Sequence, residues 1–202
     1  MTDSPLRERA KARRRAAIER AAMRLFAERG YDSTTVADIA EAAEVSPRTV
    51  SIHFPTKLDL ALSKANTAAD RFVAAMQAKG RDESALDVLS AVMRAEAEHT
   101  DDETAALEAA MFHANPTLRA SHTAPINRAL QAGADLLPAE LGLPENDHRV
   151  ILLHSAIAAI SSEYSAMIAA GNSREDIHDT VMRFLRAGIA AIQDDTAIQD
   201  EQ

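Results

Sequence analysis

Cysteine is absent from the 202 residues, which removes disulfide frameworks, thiolate metal sites, Cys-Cys redox pairs and thiol nucleophiles. A cysteine-free chain is expected in the cytoplasm. Tryptophan is also missing, and the aromatics amount to two Tyr and five Phe. Six glycines and seven prolines are too few for the many turns of a β-sandwich. Long apolar runs are missing too: Val150–Leu153 is stopped by His154, and Ala156–Ile160 by Ser161, whereas a spanning helix needs about twenty residues. The opening Met1-Thr2-Asp3-Ser4-Pro5 has no apolar core of a signal peptide. No membrane partner is expected.

Catalytic signatures are equally scarce. There is no Gly-x-Ser-x-Gly elbow, phosphate-cradling glycine loop or dinucleotide fingerprint. The histidines, at 53, 99, 113, 122, 148, 154 and 178, include no pair three or four apart, so none forms a two-histidine metal face on a helix. The expectations are therefore no enzyme, no metal and no cofactor.

What is plentiful is alanine, with 43 residues, the best helix former and a poor strand former. The fold class expected is all-α. The net charge of −9 would argue against nucleic acid, but it is uneven. Residues 1–57 hold 11 Lys/Arg against 8 Asp/Glu, net +3, while residues 58–202 hold 11 against 23, net −12. Arg7, Arg9, Lys11, Arg13, Arg14 and Arg15 face only Glu8 in the same stretch. A cationic end on an acidic body suits an anionic polymer; a plain solvated charge run is the alternative.

The neighbouring pattern bears on that choice. Apolar residues at Ile18, Ala22, Leu25 and Phe26 keep helical spacing until Gly30, a good terminator. Thr35 and Asp38 have capping-box spacing, and Val36, Ile39, Ala40 and Ala43 follow on one helical stripe. Ser46-Pro47 opens a third helix, with Val50 and Phe54 inward and Pro55 as its stop. Thr56 can cap a fourth helix at Lys57. Two short helices joined by a tight turn form a helix-turn-helix, whose second helix enters the major groove. Arg48, Thr49, Ser51 and Ile52 fall on or beside its free face, where arginine can read guanine and threonine or isoleucine a thymine methyl. Helix N-termini near Thr35 and Lys57 attract phosphate, and the arm with Arg13 and Arg14 adds backbone or minor-groove contacts.

The stretch Arg15–Leu62, IERAAMRLFAERGYDSTTVADIAEAAEVSPRTVSIHFPTKLDLAL at its heart, resembles the N-terminal domain of the TetR family of transcriptional repressors. It carries the apolar first helix, the G-Y-x-x-T-T-V-x-x-I-A-x-x-A block, the V-S-x-x-T turn and the H-F-P-T-K closing segment. The resemblance implies a homodimer that binds a palindromic double-stranded operator and is released by a small-molecule effector. It also implies phosphate contacts at Thr35 and Lys57 and a backbone contact at His53. Position 51, often aromatic in the family, is Ser51, and Ile52 replaces a polar residue, so the operator sequence does not follow.

The layout expected is a basic flexible arm (1–15), a three-helix helix-turn-helix domain (16–57) and a helical ligand-binding and dimerisation domain (58–202), about nine helices in all. A long connecting helix is predicted over 57–79, then helices near 84–99, 101–113, one capped by Asn115-Pro116 with a kink or restart at Pro125, and helices over 145–170 and 173–193. The 145–170 segment is apolar nearly all round and needs cover on two sides. A two-fold four-helix contact through Ala156, Ala159, Val181, Leu185, Gly188, Ile189 and Ile192 would supply it. Met76, Met93, Met111, Phe112, His122, Ile126, Leu130, His154, Ile157 and Tyr164 are candidates to line an effector pocket, with the histidines and Tyr164 supplying hydrogen bonds; ordinary core is the alternative for each. The function expected is a ligand-responsive regulator. The competing reading is a helical interaction or small-molecule-binding protein without sequence-specific DNA binding.

Overall fold

The computed structural model describes residues 5–134, 136–169 and 172–200. The described residues form eleven α-helices: α1 (Pro5–Arg29), α2 (Val36–Ala42), α3 (Pro47–His53), α4 (Lys57–Ala61), α5 (Ser63–Ala78), α6 (Ala85–His99), α7 (Asp102–Ala114), α8 (Pro116–Ala134), α9 (Leu136–Leu141), α10 (His148–Ala169) and α11 (Arg174–Asp200). The all-α expectation holds. Several boundaries differ from the sequence reading: α9 was not foreseen, α11 runs on to Asp200 instead of ending near 193, and two further differences fall nearer the N-terminus. Residues from Pro5 onward, expected as a flexible arm, are the first turns of α1, because Arg, Lys, Ala, Leu and Glu favour helix without needing a buried stripe. The single connecting helix is broken at Leu62 (φ −98°, ψ 7°), which separates α4 from α5.

The chain packs as two compact units, residues 1–64 with 103–121 and residues 65–102 with 122–202. Packing therefore groups the chain differently from its charge: α7 and the start of α8 join the helices expected to read DNA. In this first unit Ile18, Leu25 and Phe26 of α1 are buried with Ile39 and Ala40 of α2, Val50 and Phe54 at α3, Leu60 of α4, Met111 of α7 and Leu118 of α8. Each large side chain removed from water contributes about 1.5–3 kcal/mol. Gly30 closes α1 at φ +87°, and its N–H donates to Phe26 O. The α2–α3 turn closes with Glu44 at φ +53°; Val45 N donates to Ala40 O and Glu44 N to Glu41 O. That pair of bonds is a Schellman motif, built on a residue that is not glycine.

The second unit has its own core, formed by Phe72 and Met76 of α5, Leu86 and Leu89 of α6, Leu137 and Leu141 of α9, Val150, Leu153 and Ile157 of α10, and Ile177, Val181 and Leu185 of α11. Opposite that core, Ile151 and Leu152 of α10 and Phe184 of α11 are 52%, 65% and 61% exposed. Among the described residues no helix is long and apolar enough to cross a membrane.

Candidate nucleic-acid interface and effector cavity

Local sequence fixes the ends of α2, α3 and α4. Thr35 Oγ1 accepts from Asp38 N at 3.1 Å, while the Thr35 amide and hydroxyl donate to Asp38 Oδ2 at 2.8 and 2.6 Å. Those hydroxyl and backbone bonds, in that order, hold the Asp38 carboxyl below its usual range. Thr56 and Asp59 repeat the box at α4, a partner that the Thr-x-x-Asp spacing could have revealed. At α3, Ser46 Oγ accepts from Thr49 N at 3.1 Å and pairs with Thr49 Oγ1 at 2.8 Å. Pro47 occupies the first turn.

With Val50 and Phe54 buried, Arg48, Ser51 and Ile52 stand exposed on α3, Ile52 at 71%. Thr49 is half-buried and its hydroxyl belongs to the cap.

The basic end of α1 is tied to the far end of α3. Arg15 Nη1 donates to His53 O at 3.4 Å, its guanidinium lies 4.4 Å from the Phe54 ring centroid, and its Nε pairs with Glu19 at 3.1 Å. Partial burial, then Arg15, Lys11 and Arg14, push the His53 imidazole below its ordinary value, with Glu19 opposing. Arg13 and Arg14 remain exposed on α1.

Lys57 has a different occupation from the one expected. Its Nζ donates to Tyr31 O at 2.7 Å and Thr34 O at 3.0 Å, and sits 4.2 Å from the Tyr31 ring centroid. The ammonium straps the α1–α2 turn, so an arriving phosphate would compete with two carbonyls for it. Thr34, buried, donates to Gly30 O at 2.8 Å. Asn115 completes this corner. Its Nδ2 donates to Phe26 O at 2.8 Å and Met111 O at 2.7 Å, and its Oδ1 accepts from Tyr31 N at 2.6 Å. The sequence placed Asn115 as a cap of the following helix; its side chain instead caps the end of α1. The roles of Arg15, Tyr31 and Asn115 were not readable from the sequence because the partners that define them (His53 and Phe54, Lys57, and Phe26) lie on other elements, whereas Thr34 reaches back only four residues to Gly30 O.

The second unit contains an apolar cavity of about 20 Å³ lined by Phe72, Met76, Ala85, Leu86, Leu89, Gly133, Leu137, Leu153, His154, Ile157, Leu185 and Ile189. Of the pocket candidates, Met76, His154 and Ile157 come together here. Met93 packs against the same core from a partly buried position. His122 is partly buried, which pushes its imidazole down, but it does not line the cavity. Met111 and Phe112 are corrected: both pack in the first unit, Met111 in its core. The side chains of Ile126, Leu130 and Tyr164 lie outside the described residues.

The interface candidates divide likewise. Val181 and Leu185 are 6% and 1% exposed in the core of their own chain, and Ile189 and Ile192 pack against that core. They face inward because α11 turns this stripe toward α6 and α10. Ala156 and Gly188 are partly buried and Ala159 is exposed; a Cβ at Gly188 would meet nothing within 4 Å. Among the described residues of the second unit, the large apolar side chains left outward are Ile151, Leu152 and Phe184. Among the described residues no group of three or more His, Asp or Glu is placed to hold a metal ion.

Residues 18–63 match the model of bacterial regulatory proteins of the tetR family. The HTH-type transcriptional regulator TcmR of Streptomyces glaucescens is 40% identical over 90 residues, 45% of this chain and 40% of the relative, so the match spans two fifths of that protein's length. A tetR-family transcriptional regulator of Streptomyces coelicolor has a similar fold, with TM-score 0.56 and 22% identity over 90% of this chain and 82% of the other. FadR of Thermus thermophilus, a TetR family transcriptional repressor solved in complex with lauroyl-CoA, gives TM-score 0.50 and 25% identity over 86% of this chain and 94% of that one. With its capped α2–α3 pair inside the matched segment, residues 18–63 are a helix-turn-helix domain of the tetR family of bacterial regulatory proteins.

Proposed function

We propose that this protein is a DNA-binding transcriptional regulator rather than an enzyme, acting in the cytoplasm as a homodimer on a palindromic operator. The observation that carries the reading is the free face of α3. Arg48, Ser51 and Ile52 are exposed on a helix anchored from behind by Val50 and Phe54. Arg48 is suited to a guanine edge, Ile52 to a thymine methyl, and Ser51 to a donor or an acceptor base edge. Arg13 and Arg14, with the amides at the start of α2 beside Thr35 and of α4 at Lys57, supply phosphate contacts; Thr49 and His53 flank them.

Half-sites one helical turn apart lie about 34–36 Å from each other, so two recognition helices must be held at a fixed separation. The exposed apolar side chains Ile151 and Leu152 of α10 and Phe184 of α11, with the small Ala159 also exposed on α10, suit a self-complementary two-fold contact. Release by an effector in the apolar cavity follows the same logic. Phe72 and Met76 of its wall belong to α5, which begins two residues after α4 ends. Repression is the sense described for the Thermus relative.

The test is gel retardation with the intergenic DNA upstream of the protein's own gene. A competitor-resistant complex that weakens steeply with salt supports the reading. Equal affinity for unrelated DNA at every salt concentration refutes it and favours a helical interaction protein.

A further inference from the structure

The cavity in the second unit is apolar except at one point. Phe72, Met76, Leu89, Leu153, Ile157 and Leu185 surround it, and His154 is the single polar side chain among the described lining residues. Nε2 of His154 is sealed from solvent and has no hydrogen-bond partner. A buried nitrogen left unpaired carries a cost that a bound oxygen would offset. No charged side chain lines the described wall, so a carboxylate, phosphate or ammonium inside would also be unpaired.

We infer that this cavity takes an uncharged, largely apolar small molecule with one hydroxyl or carbonyl oxygen, which pairs with His154 Nε2; as the identity of an effector, this rests on the regulatory reading above. Burial holds the imidazole toward its neutral form, in which the ring offers one donor and one acceptor. The tautomer thus selects between a carbonyl and a hydroxyl.

The void of about 20 Å³ has room for about one water, so a ring-sized occupant enters by moving a wall. Met76 is the movable part. Its Cε lies 3.4 Å from where a Cβ at Gly133 would stand, and an unbranched thioether repacks readily.

The probes are p-xylene, p-cresol and p-toluate, which differ at one position by methyl, hydroxyl and carboxylate. Affinities are read by calorimetry and ligand-detected NMR on the full chain. The expected result is binding of both neutral probes and at least tenfold weaker binding of p-toluate. In His154→Phe, and independently in His154→Leu, the ratio of p-cresol to p-xylene affinity falls about fivefold, the net worth of one buried hydrogen bond. Equal binding of p-toluate, an unchanged ratio in a folded variant, or no binding of either neutral probe overturns the inference. Operator retardation on the same samples separates the two claims. Probe selectivity with an operator complex that no cavity ligand weakens sinks the effector role and leaves the ligand class standing. Operator release by charged compounds alone sinks the ligand class and leaves the regulatory reading intact.

Discussion

Replacing Asn115 with alanine is expected to destabilise the protein by about 3 kcal/mol, although the residue lies more than fifty positions from α3. The buried amide makes three hydrogen bonds: to Phe26 O, to Met111 O and from Tyr31 N. Each contributes about 0.5–1.5 kcal/mol net, and buried groups left unpaired raise the cost. For a chain of this size about 1 kcal/mol corresponds to some 2–4 °C in Tm, so the melting point should fall by roughly 6–12 °C. Asn115→Asp is the sharper probe. It keeps an acceptor for Tyr31 N but points a carboxylate at two carbonyl oxygens, and should be worse than alanine. Urea and thermal melts by circular dichroism measure both, with exposed Asn146→Ala as the control. A loss below about 0.5 kcal/mol for the alanine variant, or an aspartate variant as stable as wild type, would refute the role given to this corner.

Other perturbations separate reading, anchoring and scaffolding. Arg48→Ala should leave Tm unchanged and relax base preference at one operator position by about 1–3 kcal/mol; unchanged preference in a binding-site selection contradicts its role. Arg13→Ala and Arg14→Ala should each lower the salt slope of operator binding by about one without altering sequence preference, whereas Lys57→Met should depress Tm because the strap across Tyr31 and Thr34 is lost. His53, whose imidazole is pushed below its ordinary value of 6.5, contributes stability that is complete above that value. The contribution is lost as pH falls through the lower folded-state value, so His53→Gln should flatten the acid limb of a Tm–pH curve. A neighbouring phosphate would favour the protonated ring, so operator affinity should strengthen over the same pH interval. Leu152→Glu and Phe184→Glu should give folded monomers by sedimentation that bind the full operator weakly, while Leu185→Glu should unfold the chain.

Caps and helix starts were legible in the sequence because capping is a bargain between residues three apart: Thr35 with Asp38, Ser46 with Thr49. The inward pair Val50 and Phe54 was legible because one helical turn separates them. Three kinds of feature were not. The first turns of α1 bury no stripe, so periodicity has nothing to detect there. The break at Leu62 carries neither glycine nor proline. Long-range partners were the largest omission: nothing near Met111, Phe112 or Asn115 tells that the first two pack in and against the first unit's core and the third bonds the end of α1. On α11 the difficulty was one of phase. Val181, Leu185 and Phe184 are all apolar, and only the position of α6 and α10 decides that the first two turn inward and the third outward.

The first unit's discontinuity in sequence has a practical consequence for anyone wishing to transplant it. A fragment cut after residue 64 would retain the whole matched segment yet forfeit Met111, Asn115 and Leu118, leaving Phe26 O and Tyr31 N open to water. Such a fragment would be a reading head without its keystone. Chimeras that graft this head onto a foreign body should therefore carry residues 103–121 along with it, or supply an equivalent asparagine from the host.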